Sequence, residues 1–405
     1  MPTLGKHLRD YTKANGRQAT YGMLTEALSE GLINPATDVS IRELAESMLG
    51  PDWALKLKAT SFGEHPLGMF PEAGDAVDSS MFADITGQIL FQEIKAQYNA
   101  AEFIGDNFCR TMPVTNKNLG EEKIPYLSTV ADRPPHVQQG MPYPRTQFTQ
   151  QYVILPPIVK FGEICQVTME MIFSDHTLQA REAAGKVGEA TRITKEELQW
   201  STILGLTTSY KFNSSTAAAT YQASTPYVNL KSSTPLVDAN SVNTAEQLLG
   251  DMVDPVSGKA IRINPTGLVV MPANYRNARR IMGSSEVRVG DGASTSIATY
   301  SPDMLDDYPV YKTRYGYNLL IASATPSGND VPGGGLSAAN AKEYWFLGDF
   351  KKAFVWRQAM PLQTFVAPPQ SPEEFNNDIV LQVKAREWGS MGVYDPRYVV
   401  KLYNA

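Results

Sequence analysis

The residues able to do acid–base, nucleophilic or metal chemistry in this chain are few and scattered. Its four histidines, His7, His65, His136 and His176, stand alone: none belongs to an HExxH helix or lies beside cysteine or carboxylate at ligand spacing. Imidazoles placed in this way are expected to be solvated rather than metal-bound. Cys109 and Cys165 fall in separate strand-like runs without CxxC spacing and read as buried, reduced thiols. Gly290-Asp291-Gly292 follows no βαβ strand signal and lacks the third glycine of a dinucleotide loop, and the chain has no Walker loop or GxSxG elbow. The acidic pairs Asp306-Asp307 and Glu373-Glu374 fall in loops, where a solvated turn is expected rather than a catalytic dyad. Lys351-Lys352 could touch a phosphate, but two lysines at a turn carry no specificity. No catalytic, cofactor-binding or metal residue is assigned, and an enzyme is not expected.

Composition narrows the class further. The chain has 405 residues, room for two or three domains. Hydrophobic residues at 42% and charged residues at 19% describe a folded protein with somewhat sparse surface charge, which implies that the surface is used for contacts. A net charge of −6 argues against affinity for nucleic-acid phosphates over the whole surface, without excluding a local basic patch. No window approaches the ~18 apolar residues of a membrane span, and residues 1–10 lack the apolar core of a signal peptide, so a reducing interior is the expected setting.

The elements that position the rest are legible from spacing. Residues 175–206 read as one long amphipathic helix capped by Asp175 and stopped by Gly205. Its stripe runs through Leu178, Val187, Ala190, Thr194, Leu198 and Ser201, widened by Ile193, Trp200 and Leu204, and leaves Lys186, Glu189, Lys195 and Glu196 outside. Gly185 and Gly188 each cost about 1 kcal/mol there, so a bend or break is expected near them. Ahead of it, short helices are expected over 18–30 and, from a Ser40/Glu43 capping box, over 41–49, followed by a helix over 81–98 and a strand over 103–114. Residues 117–160 hold prolines at 125, 134, 135, 142, 144, 156 and 157 among aromatic residues. That density excludes a helix and a central strand, but it permits an extended two-stranded arm turning near 132–140. Such a ribbon is marginal alone and needs another surface.

A strand is expected over 161–172, an irregular stretch over 207–243, a helix over 244–252, a buried strand over 267–271 and a proline-started helix over 272–282 with Asn277, Arg279 and Arg280 outward. Residues 283–300 read as a loop. Strands follow at 309–315, 318–322, 344–347 and 353–357, with Gly333-Gly334-Gly335 at a tip, and residues 377–401 read as a hairpin turning at 389–392.

Two blocks carry a family likeness. One is Asp254-Pro255-Val256-Ser257-Gly258-Lys259 leading to Leu268-Val269-Val270-Met271-Pro272-Ala273. The other runs from Gly348-Asp349-Phe350 through Val355-Trp356-Arg357 and Asp378-Ile379-Val380-Leu381-Gln382-Val383-Lys384-Ala385-Arg386 to Asp395-Pro396-Arg397-Tyr398-Val399. With the order of elements, they resemble the major capsid proteins of tailed bacteriophages, the Hong Kong 97 fold, over about residues 80–405. The resemblance implies an α+β fold with an N-terminal arm (1–80), a peripheral domain (81–116, 161–240 with its spine helix, and the C-terminal strands 371–405), an extended E-loop (117–160) and an axial domain (241–370). It implies self-assembly as hexamers and pentamers into an icosahedral shell around double-stranded DNA, in a virion assembled in bacterial cytoplasm, with scaffold, portal and decoration proteins as partners. No membrane or cofactor is implied. An encapsulin-like shell around enzyme cargo is the alternative, and a soluble α/β enzyme with a deep pocket is the reading from another class. Some relatives cross-link Lys to Asn; Lys117, Asn118 and Lys123 lie near the arm without a carboxylate to place beside them, and read as solvated. The N-terminus, beginning at Met1, is expected to be retained as an arm.

Overall fold

The computed structural model describes residues 4–29, 40–49, 53, 73–100, 102–114, 119–126, 136–141, 151–174, 177–224, 226–255, 258–283, 287–290, 297–300, 308–325, 331–367 and 378–404. In chain order the helices are α1 (Leu4–Asn15), α2 (Arg17–Ser29), α3 (Ile41–Leu49), α4 (Ala73–Tyr98), α5 (Met169–Phe173), α6 (Thr177–Ile203), α7 (Ala239–Gly250), α8 (Tyr275–Met282), α9 (Arg314–Ile321), α10 (Ala338–Ala341) and α11 (Phe350–Ala353). The strands are β1 (Arg110–Pro113), β2 (Glu122–Tyr126), β3 (Gln151–Leu155), β4 (Val159–Thr168), β5 (Lys211–Phe212), β6 (Leu230–Lys231), β7 (Gly267–Val270), β8 (Val287–Gly290), β9 (Ile297–Tyr300), β10 (Val310–Lys312), β11 (Trp345–Gly348), β12 (Phe354–Val366), β13 (Ile379–Val393) and β14 (Val399–Leu402). The chain divides into two units. One comprises Met1–Phe103, Lys160–Thr194 and Met360–Trp388; the other comprises Ile104–Val159, Lys195–Ala359 and Gly389–Ala405.

The first unit packs helices on a sheet edge. The Ser40 hydroxyl accepts from the Glu43 N–H at 3.3 Å, the expected cap, and Ile41, Leu44, Ala45 and Met48 on α3 are buried. α4 contributes Phe82, Ile85, Ile89, Leu90 and Ile94 to the same core, and β4 and β13 contribute Cys165, Val167, Leu381, Val383 and Ala385. β4 is an edge strand beside β13, which pairs in turn with β12. The expected strand over 161–172 therefore ends early: from Met169 the chain turns helical as α5.

Helix α6 runs unbroken through its glycines. A Cβ at Gly188 would strike the backbone carbonyl of Ile94, and one at Gly185 would lie 3.2 Å from Gln97 Cγ, so both positions let α4 come close. Their cost in helix propensity is offset by close packing. The helix begins at Thr177, and Asp175 lies outside the described residues. It ends as the sequence predicts. Gly205 has φ +70°, its N–H donates to Thr202 O at 3.1 Å, and the Leu206 N–H donates to Ser201 O at 2.9 Å, a Schellman ending.

The second unit is built on a five-stranded sheet in the order β10-β7-β11-β14-β6. Leu268, Val269 and Val270 on β7, Trp345, Phe346 and Leu347 on β11, and Val399, Val400 and Leu402 on β14 are all buried, as strands covered on both faces must be. An aromatic cluster centred on Phe108 joins Trp200 at 5.3 Å, Tyr311 at 4.9 Å and Phe350 at 5.1 Å between ring centroids.

Several expectations are corrected here. Only Arg110–Pro113 of 103–114 is strand, because Gly105–Phe108 forms a 3-10 turn that delivers Phe108 to the aromatic cluster. The stretch 283–300 contains the antiparallel pair β8–β9, with Val287 opposite Tyr300. Of residues 318–322, all but Ala322 belong to helix α9, whose start is set by the Thr313 hydroxyl accepting from the Gly316 N–H at 2.9 Å. The helix expected at 244–252 starts at Ala239, capped by Asp238, which accepts from the Ser241 N–H at 3.1 Å. Gly333 and Gly334 do not form a free tip, since a Cβ at either would collide with the backbone of Ala322 or Leu320. Finally, 389–392 is not a turn. β13 runs unbroken to Val393, and Gly389 is glycine because Trp356 lies where its side chain would stand.

Candidate assembly elements

The proline-rich arm is a ribbon with a built base. β2 and β3 pair antiparallel, with Glu122 opposite Leu155 and Tyr126 opposite Gln151, and β5 adds a third strand through Val153 and Phe212. Between the strands only 136–141 is described, an exposed segment carrying Met141, and the expected turn near 132–140 is otherwise outside the described residues. Pro125 lies within β2, where a missing N–H is tolerated only because the strand has one partner, as in an edge.

Arg357, fully buried at the start of β12, fastens this base. Its Nη1 donates to Gly120 O at 3.2 Å and also to Pro156 O, and its Nη2 meets Glu122 Oε2 at 2.8 Å. One guanidinium thus holds the chain entering β2 and the chain leaving β3. A planar donor set is required, since a lysine ammonium could not reach all three acceptors.

A second buried pair sits at the tip-side end of β2. The Tyr126 hydroxyl donates to Asp395 Oδ2 at 2.8 Å, and Asp395 Oδ1 accepts from Arg397 Nη1 at 3.0 Å and from the Arg397 N–H at 3.1 Å. Burial pushes the Asp395 carboxyl above the usual carboxylate value against the pull of Arg397 and Tyr126, and burial with the nearby carboxylate pushes the Tyr126 phenol well above its own. The Arg397 guanidinium also faces the rings of Phe212 and Tyr227 at 5.8 and 5.2 Å.

The C-terminal part of α6 carries an unexpected buried polar face. Lys195 and Glu196, expected outside the apolar stripe, are buried, while Leu178, expected within it, is 67% exposed. Glu196 Oε1 accepts from the Ile104 N–H at 3.1 Å, the Gly105 N–H at 2.8 Å and the Trp200 indole at 2.8 Å. Lys195 pairs with Asp106 at 3.3 Å and lies over the Trp356 ring at 5.2 Å. These side chains work as structural ties for the 3-10 turn, not as a site open to substrate.

Cys109 and Cys165 are buried thiols, one in each unit. His136 is exposed; the side chain of His7 and all of His65 and His176 lie outside the described residues, as do Asp291, Gly292, Asp306-Asp307, Glu373-Glu374, Lys117 and Asn118. Lys123 stands over the Tyr152 ring at 5.0 Å, and Lys352 pairs with Asp349 at 3.0 Å beside exposed Lys351. Among the described residues no group of three His, Cys, Asp or Glu side chains could hold a metal, and no helix is long and apolar enough to cross a membrane. An open depression of about 380 Å³ lined by Tyr227, Val228, Leu248, Met252 and Val253 has Asp251 as its charged member, too little for acid–base work.

The described part of the arm is a ribbon base braced by buried side chains, and the same unit holds a five-stranded sheet. The sequence profile described as phage capsid protein matches residues 151–402, well over half the chain. The chain belongs to the phage capsid protein family. The capsid protein's matched region includes β3, all of α6 and the second unit's sheet, with Arg357, Asp395 and Arg397 inside it. Among solved structures it is similar to the capsid of cyanophage P-SCSP1u at 12% identity and TM-score 0.48, covering 87% of this chain and 94% of that one. It is also similar to the mature capsid of bacteriophage PhiM1 at 11% identity and TM-score 0.44, covering 76% and 88%. A virus-like particle from Pyrococcus furiosus follows at 9% identity and TM-score 0.40, covering 77% and 97%. Family membership rests on the sequence profile rather than on these overlaps. No curated protein sequence matches the capsid protein. Its role is that of a shell subunit, a structural part of the virion.

The braces themselves were not read from sequence. Asp395-Pro396-Arg397 could have been found as a self-capping turn, with Asp accepting from the N–H two residues on. Arg357 left no such signal, because its partners lie more than two hundred residues away.

Proposed function

We propose that this capsid protein is the major head protein of a tailed phage, assembling as hexamers and pentamers into an icosahedral shell around double-stranded DNA with the Hong Kong 97 arrangement. The observation that carries the reading is the base of the ribbon 117–160: Arg357 and Asp395 lock it, yet β2 is an edge strand, paired with β3 on one side and with no described strand on the other. Residues 81–116, 161–240 and 371–405 would form the peripheral domain, 241–370 the axial domain, and 1–80 an arm over neighbouring copies. A capsid assembled in bacterial cytoplasm, with scaffold, portal and decoration proteins as helpers, follows from that reading.

Electron microscopy with sedimentation of the purified chain tests it. Closed particles or rings of five and six are expected, and removing residues 132–140 is expected to weaken their assembly while leaving the circular dichroism spectrum intact. Normal shells from that deletion would remove the arm from the assembly contacts. Nucleic-acid content of particles recovered from infected cells separates a genome shell from one holding protein cargo.

A further inference from the structure

Helix α8 presents its arginines on one side. Ala278, Ile281 and Met282 are buried against the second unit, while Arg276, Arg279 and Arg280 are exposed. At about 100° per residue the three arginines fall within an arc of about 100°. β10, which lies beside α8, extends the charge. Lys312 stands over the ring of Tyr275 at 5.3 Å, and Arg314 is exposed beyond buried Thr313. None of the five cations forms an ion pair with a described carboxylate. Arg279 and Arg280 complement the carboxyl end of the helix dipole, but Arg276, in its first turn, works against the dipole, and Lys312 and Arg314 have no part in it. Helix stability therefore does not explain the set.

The rest of the protein gives the set its meaning. A chain of net charge −6 repels a polyanion as a whole, so contact with one must be confined to places where cations stand without carboxylates. Four of these five cations, Arg276, Arg279, Arg280 and Arg314, are arginines, whose flat donor fork suits phosphate oxygens. The ring of Tyr275 at this face lies under Lys312 at 5.3 Å rather than open for a base to stack on. We propose that the arginine face of α8, with Lys312 and Arg314, is a sequence-independent contact for the phosphate backbone of duplex DNA. The proposal rests on the capsid reading and locates its DNA contact.

The test uses the full-length chain and a short labelled duplex DNA, with affinity measured by anisotropy across a salt series. Each phosphate contact contributes about −0.9 to the slope of log K against log salt, so replacing Arg276, Arg279 and Arg280 together by Gln should make the slope less negative by about 2.7. Replacing the same three by Lys should restore it. Replacing Lys351 and Lys352 by Gln, on α11, should leave it unchanged. An unchanged slope in the arginine-to-glutamine variant, no binding by the natural chain at low salt, or an equal change from the Lys351/Lys352 variant would each overturn the proposal. Particle formation is scored separately. Shells with an unchanged slope would retire the site alone, whereas a shifted slope without shells would retire the capsid reading and leave the site standing.

Discussion

The indole N–H of Trp200 donates to Glu196 Oε1 one helical turn earlier, at 2.8 Å, and both side chains are fully buried. The same oxygen takes the N–H groups of Ile104 and Gly105, so a single carboxylate oxygen ties α6 to the turn that carries Phe108. Trp200→Ala removes a ring packed 5.3 Å from Phe108 and is expected to destabilise the subunit by about 3 to 5 kcal/mol in urea denaturation. Glu196→Ala should cost a comparable amount, because it strands three buried donors. A cost below about 1 kcal/mol for Trp200→Ala would mean that this face of the helix is not buried in solution.

Gly188 and Gly185 should respond in opposite ways to one methyl group. At Gly188 the new Cβ would meet a backbone carbonyl, which cannot swing aside, and Gly188→Ala should cost about 1 to 3 kcal/mol. At Gly185 the nearest atom belongs to the flexible Gln97 side chain, and the helix gains up to about 1 kcal/mol from alanine. Thermal denaturation of the two variants side by side measures the difference.

Arg357→Lys keeps the charge but loses the fork. With Glu122 and the carbonyls of Gly120 and Pro156 left partly unpaired in a buried setting, a loss of about 3 to 5 kcal/mol is expected. Faster amide exchange in β2 and β3 than in β7 would place that loss at the ribbon base, and uniform acceleration would contradict it.

Lys401 governs an alkaline rise in stability. Its Nζ donates to Leu204 O at 2.8 Å and lies over the rings of Tyr221, Tyr344 and Phe346, at 5.4, 4.9 and 5.9 Å, and burial lowers its pKa to about 8. Below pH 8 the lysine is charged in both states and the folded state bears the burial cost. Between about pH 8 and 10.5 the folded state gives up its proton first, the unfolded chain binds more protons, and stability rises by up to about 3 kcal/mol. Above pH 10 the trend reverses: burial raises the pKa of Tyr126, Tyr210, Tyr221 and Tyr227, so the unfolded chain ionises its phenols first. Lys401→Met should flatten the rise in denaturation midpoint between pH 8 and 10, and a rise that persists in it would assign the effect to another group.

Local signals were the legible ones. The Ser40 cap, the Gly205 stop, the Pro272 start and the outward Arg279 and Arg280 all depend on neighbours within a few residues. Long-range packing decided the rest. Gly389 and Gly392 look like turn residues, but one makes room for Trp356 and the other for Leu155 and Pro156. Lys195 and Glu196 look solvated by type, yet Asp106 and the Ile104 and Gly105 amides await them. The stretch 318–322 reads as a strand from its apolar run, and the Thr313 cap made it a helix.

β14 lies in the interior of the five-stranded sheet, with Val400 opposite Leu347 on β11 and Lys401 opposite Leu230 on β6. A nascent chain can therefore form α7, β7 and β11 but cannot close that sheet until residues 399–402 have left the ribosome exit tunnel. Half-made subunits therefore lack the strand that joins β6 to the rest of the sheet.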